Sequence, residues 1–290
     1  MTEVRSAARA RMVAVDDGVR LRTWTTGTAG DRPAVVLLHG GPGLWDYLGP
    51  VAGMLAPVTV VHRFDQRGCG GSETSPEQSL ARSVADIEAL RGHWGHERWV
   101  VIGHSFGATL ALAYAVRHPG RTAALGYLSG VGVGDWRGPH RAERARRLTA
   151  AQRDRLAALE ERSERTAEEE IEFRALHWVT DFADPGRAWQ WALQDAGSGH
   201  PINWAAHRAL MADAGRWSDA DVRARAAALD MPCWFLHGDR DTRPAGTVAE
   251  LAAVVPGARV HLIAGGGHQP WRERPGDVRR LLRGLLAAAR

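Results

Sequence analysis

Short, uninterrupted apolar runs, each cut off by glycine or proline and followed by a helical stretch, set the strongest limit on how this chain folds. Ala34-Val35-Val36-Leu37-Leu38 stops at His39-Gly40-Gly41-Pro42-Gly43. Val58-Thr59-Val60-Val61 ends before Asp65-Gln66-Arg67-Gly68, and Trp99-Val100-Val101-Ile102-Gly103 runs into a glycine-flanked serine. Residues 123–128, Cys233-Trp234-Phe235-Leu236 and Val260-His261-Leu262-Ile263 continue the series. Successive strand residues point to opposite faces, so a run with no polar alternation predicts a strand buried on both sides, as in a parallel sheet. Helical spacing over residues 80–94, 108–116 and 248–254, with a last helix to Arg290, fills the gaps. The chain therefore reads as α/β, with a mostly parallel central sheet covered by helices on both faces. Residues 13–25, alternating around Asp16-Asp17-Gly18, predict a leading β-hairpin.

The alternation lapses between Trp136 and Arg225, where the sequence turns Arg/Glu/Ala-rich and holds half of the chain's twelve tryptophans. The expected organisation is a core of residues 1–135 and 226–290 with an inserted helical cap, residues 136–225. A cap at that point lies over the strand ends, where α/β sheets bind ligands. The charged stretch 141–174 is expected to be a solvated helix face. A length of 290 residues accommodates one large core plus such an insertion.

The net charge of +4 does not point to nucleic acid or a membrane surface. There is no lysine, so all 37 Lys/Arg positions are arginine, interspersed with Asp and Glu. Cys69 and Cys233 lie far apart and outside any metal-ligand spacing, which predicts a reduced, cytoplasmic protein. Met1 to Val15 carries Arg5, Arg9 and Arg11 without a following apolar segment, so no secretory signal is expected. No apolar run approaches the roughly 18 residues of a membrane span. No His/Cys cluster suggests a metal, and no cofactor is expected. The expected partner is a small-molecule or short-peptide substrate.

Gly103-His104-Ser105-Phe106-Gly107 sits between an apolar strand and an apolar helix. A serine there rides a sharp turn above the sheet, and the next N–H opens a helix N-terminus, suited to a developing oxyanion. Serine needs a base to take its proton and an acid to orient that base. Both follow in the chain order expected of this architecture. His237-Gly238-Asp239-Arg240-Asp241 leaves one strand end, and Gly265-Gly266-Gly267-His268-Gln269-Pro270 leaves the next. Ser105 is the candidate nucleophile, His268 the base and Asp241 the acid. Asp239 competes for the last role, but an Asp directly after Gly commonly closes its own turn, and Asp241 lies farther into the loop. The oxyanion donors are predicted to be the N–H groups of Gly41 and Phe106, since Pro42 has none. Cys69, Cys233, His104 and His237 are expected to be structural.

These segments together resemble the proline iminopeptidase (prolyl aminopeptidase) group of the α/β-hydrolase superfamily. The resemblance rests on His39 to Gly43, Asp65-Gln66-Arg67-Gly68-Cys69-Gly70, Gly103 to Gly107 followed by Ala108-Thr109-Leu110-Ala111-Leu112-Ala113-Tyr114-Ala115, and Gly238 to Asp241. It covers the core. It implies an α/β-hydrolase fold, a triad of Ser105, Asp241 and His268, and hydrolysis through an acyl-enzyme, with N-terminal proline peptides as the first substrate class. Peptidases of that group hold the substrate amine with cap carboxylates, one of them typically in a Trp-Glu pair. Here Ala188-Trp189-Gln190-Trp191-Ala192-Leu193-Gln194-Asp195 lacks that pair. Glu168, Glu169, Glu170, Glu172, Asp181, Asp184 and Asp195 stand as replacements, with surface charge the default for each. An esterase or lactonase on the same triad is the alternative, and a hydrolase-fold ligand receptor with little turnover the rival from another class. The tryptophans of the cap predict a partly apolar or aromatic substrate.

Overall fold

The computed structural model describes residues 9–289. Met1 and Arg5 of the basic N-terminal stretch, and the expected helix end at Arg290, lie outside them. The chain opens with β1 (Arg11–Ala14) and β2 (Arg20–Thr26), an antiparallel pair with Val13 opposite Leu21. There follow β3 (Val35–Leu38), α1 (Gly49–Leu55), β4 (Val61–Phe64), α2 (Leu80–His93), β5 (Trp99–His104), α3 (Phe106–Arg117) and β6 (Thr122–Leu128). Six helices come next: α4 (Arg137–Arg147), α5 (Ala150–Glu160), α6 (Ala167–Trp178), α7 (Pro185–Ala196), α8 (Trp204–Ala214) and α9 (Asp219–Ala226). The chain then returns to the sheet through β7 (Cys233–Gly238), α10 (Ala245–Ala252), β8 (Arg259–Ile263), α11 (Pro270–Glu273) and α12 (Pro275–Ala288).

The eight strands form one sheet in the order β1-β2-β4-β3-β5-β6-β7-β8. The pairings β1/β2 and β2/β4 are antiparallel and the rest parallel. After β3 the chain first builds outward to β4, then crosses back to place β5 on the other side of β3. The two connections leave in opposite directions and open a crevice at the carboxyl ends of β3 and β5. Every residue of β3, β5, β6 and β7 is buried, as their unbroken apolar runs require. Val36, Leu38 and Val101 pack in the core beneath α2 and α3. Val35, Leu37, Val100 and Ile102 pack in the second core, with α1 and α12.

Strand β4 begins at Val61, three residues later than the apolar run suggested. The reason is α1, too short and Gly/Pro-interrupted to show a clear period. Its exit turn spends the N–H groups of Val58 and Thr59 on Leu55 O, at 2.9 and 3.2 Å. Those residues therefore finish a helix and contribute nothing to the ladder.

Every regular element between residues 136 and 225 is helical. Three of these helices start at reciprocal caps: Thr149 with Gln152, Thr166 with Glu169, and Ser218 with Asp221. Each box satisfies two backbone donors that a helix start leaves open. The segment has its own small core of Ala175, Phe182, Ala188, Trp191, Ala192 and Ala196. Outside it, Arg155 pairs with Glu172 at 2.6 Å, and Arg165 and Arg174 share Glu170 at 2.8 Å each.

Candidate active site

Ser105 follows the last residue of β5 and caps α3, with φ 56° and ψ −122°. A non-glycine residue in this region carries strain on the order of 1–3 kcal/mol, which the surroundings must hold in place. The flanking glycines allow it. A Cβ on Gly103 would lie 1.9 Å from Gly107 O, and one on Gly107 would lie 2.1 Å from Leu38 O. Strand, turn and helix thus close on one another more tightly than any side chain permits.

His268 and Asp241 come from the loops after β8 and β7. The His268 Nδ1 lies 2.6 Å from Asp241 Oδ2, and both side chains are buried. Asp241 Oδ1 accepts from the Arg243 backbone N–H at 2.9 Å and from its Nη1 at 3.3 Å. Burial pushes the Asp241 carboxyl up, but the adjacent His268 and Arg243 outweigh it and hold the group far below the ordinary carboxylate range. An ionised Asp241 assigns the proton of this contact to Nδ1 and leaves the Nε2 lone pair free of it. Residues 136–225 enter here too. The His268 N–H donates to Asp181 O at 2.7 Å, and Asp181 Oδ1 accepts from Arg243 Nη1 at 2.7 Å. Asp239 does not close its own turn: its Oδ1 accepts from the Gly265 N–H at 2.7 Å and ties the loop after β7 to the loop after β8, while the local turn bond, from the Arg243 N–H, is made by Asp241.

Gly41 has φ 56° and lies in the turn after β3, while Phe106 is the first residue of α3. One hydrogen-bonded chain links these loops. The Gly40 N–H donates to Tyr47 Oη at 2.8 Å, Tyr47 Oη lies 2.7 Å from His104 Nδ1, and His104 Nε2 lies 2.8 Å from His268 O. A single assignment satisfies all three: the Tyr47 hydroxyl donates to Nδ1, and Nε2–H donates to the carbonyl. His39 joins the same turn to Gln66, with its Nε2 accepting from the Gln66 N–H at 3.1 Å.

Ser105, His268 and Gly41 line one cavity of about 420 Å³. Its apolar walls include Leu44, Trp45, Phe173, Trp178, Ile202 and Trp204. Trp178 meets Trp45 edge-on with centroids 6.3 Å apart. Of the tryptophans in residues 136–225, only Trp178 and Trp204 reach the cavity. Of the seven acidic residues considered there, only Asp181 and Asp195 do. Both are engaged: Asp181 with Arg243, and Asp195 with Arg272 and with Gln269 Nε2 at 2.8 Å.

Residues 33–271 match the family described as alpha/beta hydrolase fold. The chain belongs to that family. A proline iminopeptidase of Xylella fastidiosa is 41% identical over 127 residues, covering 39% of this chain and 37% of that protein. The curated relatives of this kind are matched over little more than a third of their length. The crystal structure of proline iminopeptidase from Mycobacterium smegmatis superposes with a TM-score of 0.71 at 22% identity, covering 96% of this chain and 98% of that one. A thermophilic esterase from Thermogutta terrifontis superposes with a TM-score of 0.72 at 21% identity, covering 97% and 98%.

Within this α/β hydrolase, the structure brings Ser105, Asp241, His268 and the Gly41 turn to one end of the sheet, with Phe106 directly after Ser105. Cys69 is buried and its thiol is pushed up to about 12 by desolvation, as suits a packing residue. His104 and His237 are hydrogen-bonded parts of the framework. Sequence reasoning missed Tyr47, Arg243 and Arg144, and named Asp181 only as a candidate amine anchor, not as the partner of Arg243 and of the His268 N–H. Arg144 and Arg174 lie in the stretch read as a solvated face, yet both line the cavity. Among the described residues no group of three or more His, Cys, Asp or Glu is arranged to hold a metal, and no helix is long and apolar enough to cross a membrane.

Proposed function

We propose that this protein is a serine hydrolase that cleaves an ester or amide bond of a small substrate through an acyl-enzyme. The observation that carries the reading is the buried 2.6 Å contact between His268 and Asp241, opening onto the same cavity as the strained Ser105. Ser105 Oγ attacks the carbonyl carbon and passes its proton to His268 Nε2. Asp241 stabilises the resulting imidazolium without taking the proton. The N–H groups of Gly41 and Phe106 receive the oxyanion, a contribution of roughly a hundred- to a thousand-fold per donor. Collapse expels the leaving group, which takes the proton from His268. Water, deprotonated by the same ring, then releases the acid and restores the serine.

Residues 136–225 serve as the cap and the remainder as the core. For the substrate, the relatives named proline iminopeptidase support N-terminal proline peptides. The engagement of both cavity carboxylates by arginines supports small esters instead, because a substrate amine finds no open acidic partner. Two free, buried cysteines support the cytoplasm as the compartment, and the dispersed arginines support a protein with no nucleic-acid partner.

The test compares wild type with Ser105→Ala on a fluorophosphonate probe, a proline arylamide and a short-chain aryl ester. Labelling and turnover that vanish in the variant support the reading, and the preferred substrate separates peptidase from esterase. A folded wild type that neither labels nor turns over either substrate returns the molecule to the class of ligand receptors.

A further inference from the structure

The charged groups lining the cavity do not balance. Arg243 is held by Asp181 and Asp241, Arg174 by Glu170, and Asp195 by Arg272. Arg144, on α4, is the exception. Among the described residues it has no carboxylate partner. Its Nη2 rests on the ring nitrogen and carbonyl of His177, at 3.2 and 3.4 Å, and its Nε is buried with no hydrogen-bond partner. On the far side of that ring, Glu160 stands 3.9 Å from the other nitrogen of His177. A half-buried guanidinium with an unpaired Nε and no counter-charge carries a desolvation cost. The cost is recovered when an anion seats against it, and Arg presents donors in the fork that a carboxylate matches.

His140 and His177 beside it do not compete for that anion as cations. Burial, with the neighbouring arginines, lowers both to about 4. The aromatic wall of Trp45 and Trp178 offers contact area for an apolar body.

We infer that Arg144 is a specificity-determining residue that binds a carboxylate of the substrate, so the preferred substrates are acids: an apolar or aromatic ester or amide carrying a second, anionic group. The inference deepens the hydrolase reading above and rests on it for turnover. It sets the cavity against a substrate recognised through a free amine.

The test uses two matched pairs. Para-nitrophenyl hemiglutarate against para-nitrophenyl valerate places the charge on the acyl side, and para-acetoxybenzoate against phenyl acetate places it on the leaving group. Wild type is expected to favour the anionic member of at least one pair in kcat/KM. Arg144→Gln is expected to cut that ratio by roughly 10- to 100-fold, mainly through KM, as removal of a hydrogen-bonded charged partner does. Arg144→Lys is expected to restore part of it. A ratio unchanged in Arg144→Gln overturns the inference. Should that variant fold poorly, benzoate and benzamide are compared as ligands of Ser105→Ala by tryptophan fluorescence. At least tenfold tighter benzoate binding supports the inference, and equal binding overturns it. Because Ser105→Ala needs no turnover to bind, loss of the hydrolase reading and loss of the carboxylate site give different results.

Discussion

Asp241→Asn tests the proposed chemistry at one atom. Two donors, the backbone N–H and Nη1 of Arg243, converge on Oδ1, while Oδ2 faces His268 Nδ1 at 2.6 Å. An asparagine has one acceptor end. With both donors of Arg243 on one side, its oxygen is held there and its NH₂ is turned toward the imidazole. Nδ1 must then accept, and the ring proton moves to Nε2, where the base function is needed. Such a tautomer error in a Ser-His-Asp site lowers kcat by about 10⁴-fold, or about 5.5 kcal/mol in the barrier. Folding suffers less, because the amide oxygen still serves Arg243 and Asp181 still neutralises it. The expected loss is about 1–3 kcal/mol. The assay is steady-state hydrolysis of a short-chain aryl ester beside a thermal melt. A folded Asp241→Asn within tenfold of wild-type kcat refutes the tautomer argument.

Tyr47→Phe removes the acceptor of the Gly40 N–H and the donor to His104 at once, and aryl-ester kcat is expected to fall roughly 10-fold or more with the fold retained; an unchanged kcat breaks the link drawn from Tyr47 to the Gly41 turn. Gly107→Ala drives a Cβ to 2.1 Å from Leu38 O, a clash expected to cost more than about 4 kcal/mol and to show as loss of soluble, folded protein; a wild-type melting temperature contradicts the packing described for the turn. His62 is stacked on Trp94 at 3.9 Å, and burial, with His96 and His93 nearby, lowers it from 6.5 to about 3. The unfolded chain therefore takes this proton first, so the contribution of His62 to stability is complete above the unfolded value of 6.5 and is lost as the pH falls below it. His62→Phe keeps the stack without the titration, and its melting temperature is expected to drop less than that of wild type on acidification from pH 7 to 5; parallel slopes refute it.

The parts of this site that were legible in the sequence are those whose chemistry is local. An unbroken apolar run implies a strand covered on both faces, and a serine two residues from a glycine on each side implies a turn with no room for side chains. Asp241 was preferred to Asp239 for its place farther along the loop, although the turn-closing bond expected of Asp239 is made by Asp241, and Asp239 bonds the neighbouring loop at Gly265. Tyr47 and the pairing of Asp181 with Arg243 carried no comparable signal, since each depends on a partner distant in sequence: Tyr47 on His104, and Asp181 on Arg243. Arg144 was hidden for a different reason. It sits in a helix with no buried residue, among arginines that do face solvent or Glu143. Which side of α4 meets the cavity is decided by how the cap settles on the core, and no period within the helix records it.

That settling also bears on how substrate enters. The backbone of His268 is pinned to Asp181, in the helical segment 136–225. Glu273, on α11, accepts from the Gly267 N–H with one oxygen and from the Ala183 and Asp184 N–H groups with the other. A single half-buried carboxylate thus clamps the residue before the candidate base to the start of α7, and the Asp181–Arg243–Asp241 chain runs alongside it. Lifting residues 136–225 along this seam would leave three backbone donors, those of Ala183, Asp184 and His268, and the Asp181 carboxylate without partners, and would free the backbone of the candidate base. Opening along this seam is therefore costly. The opposite rim, where Trp204 on α8 is 48% exposed and lines the cavity, is tied down as well, the Asn203 N–H donating to Gly43 O and its Nδ2 to Gly68 O, each at 2.9 Å.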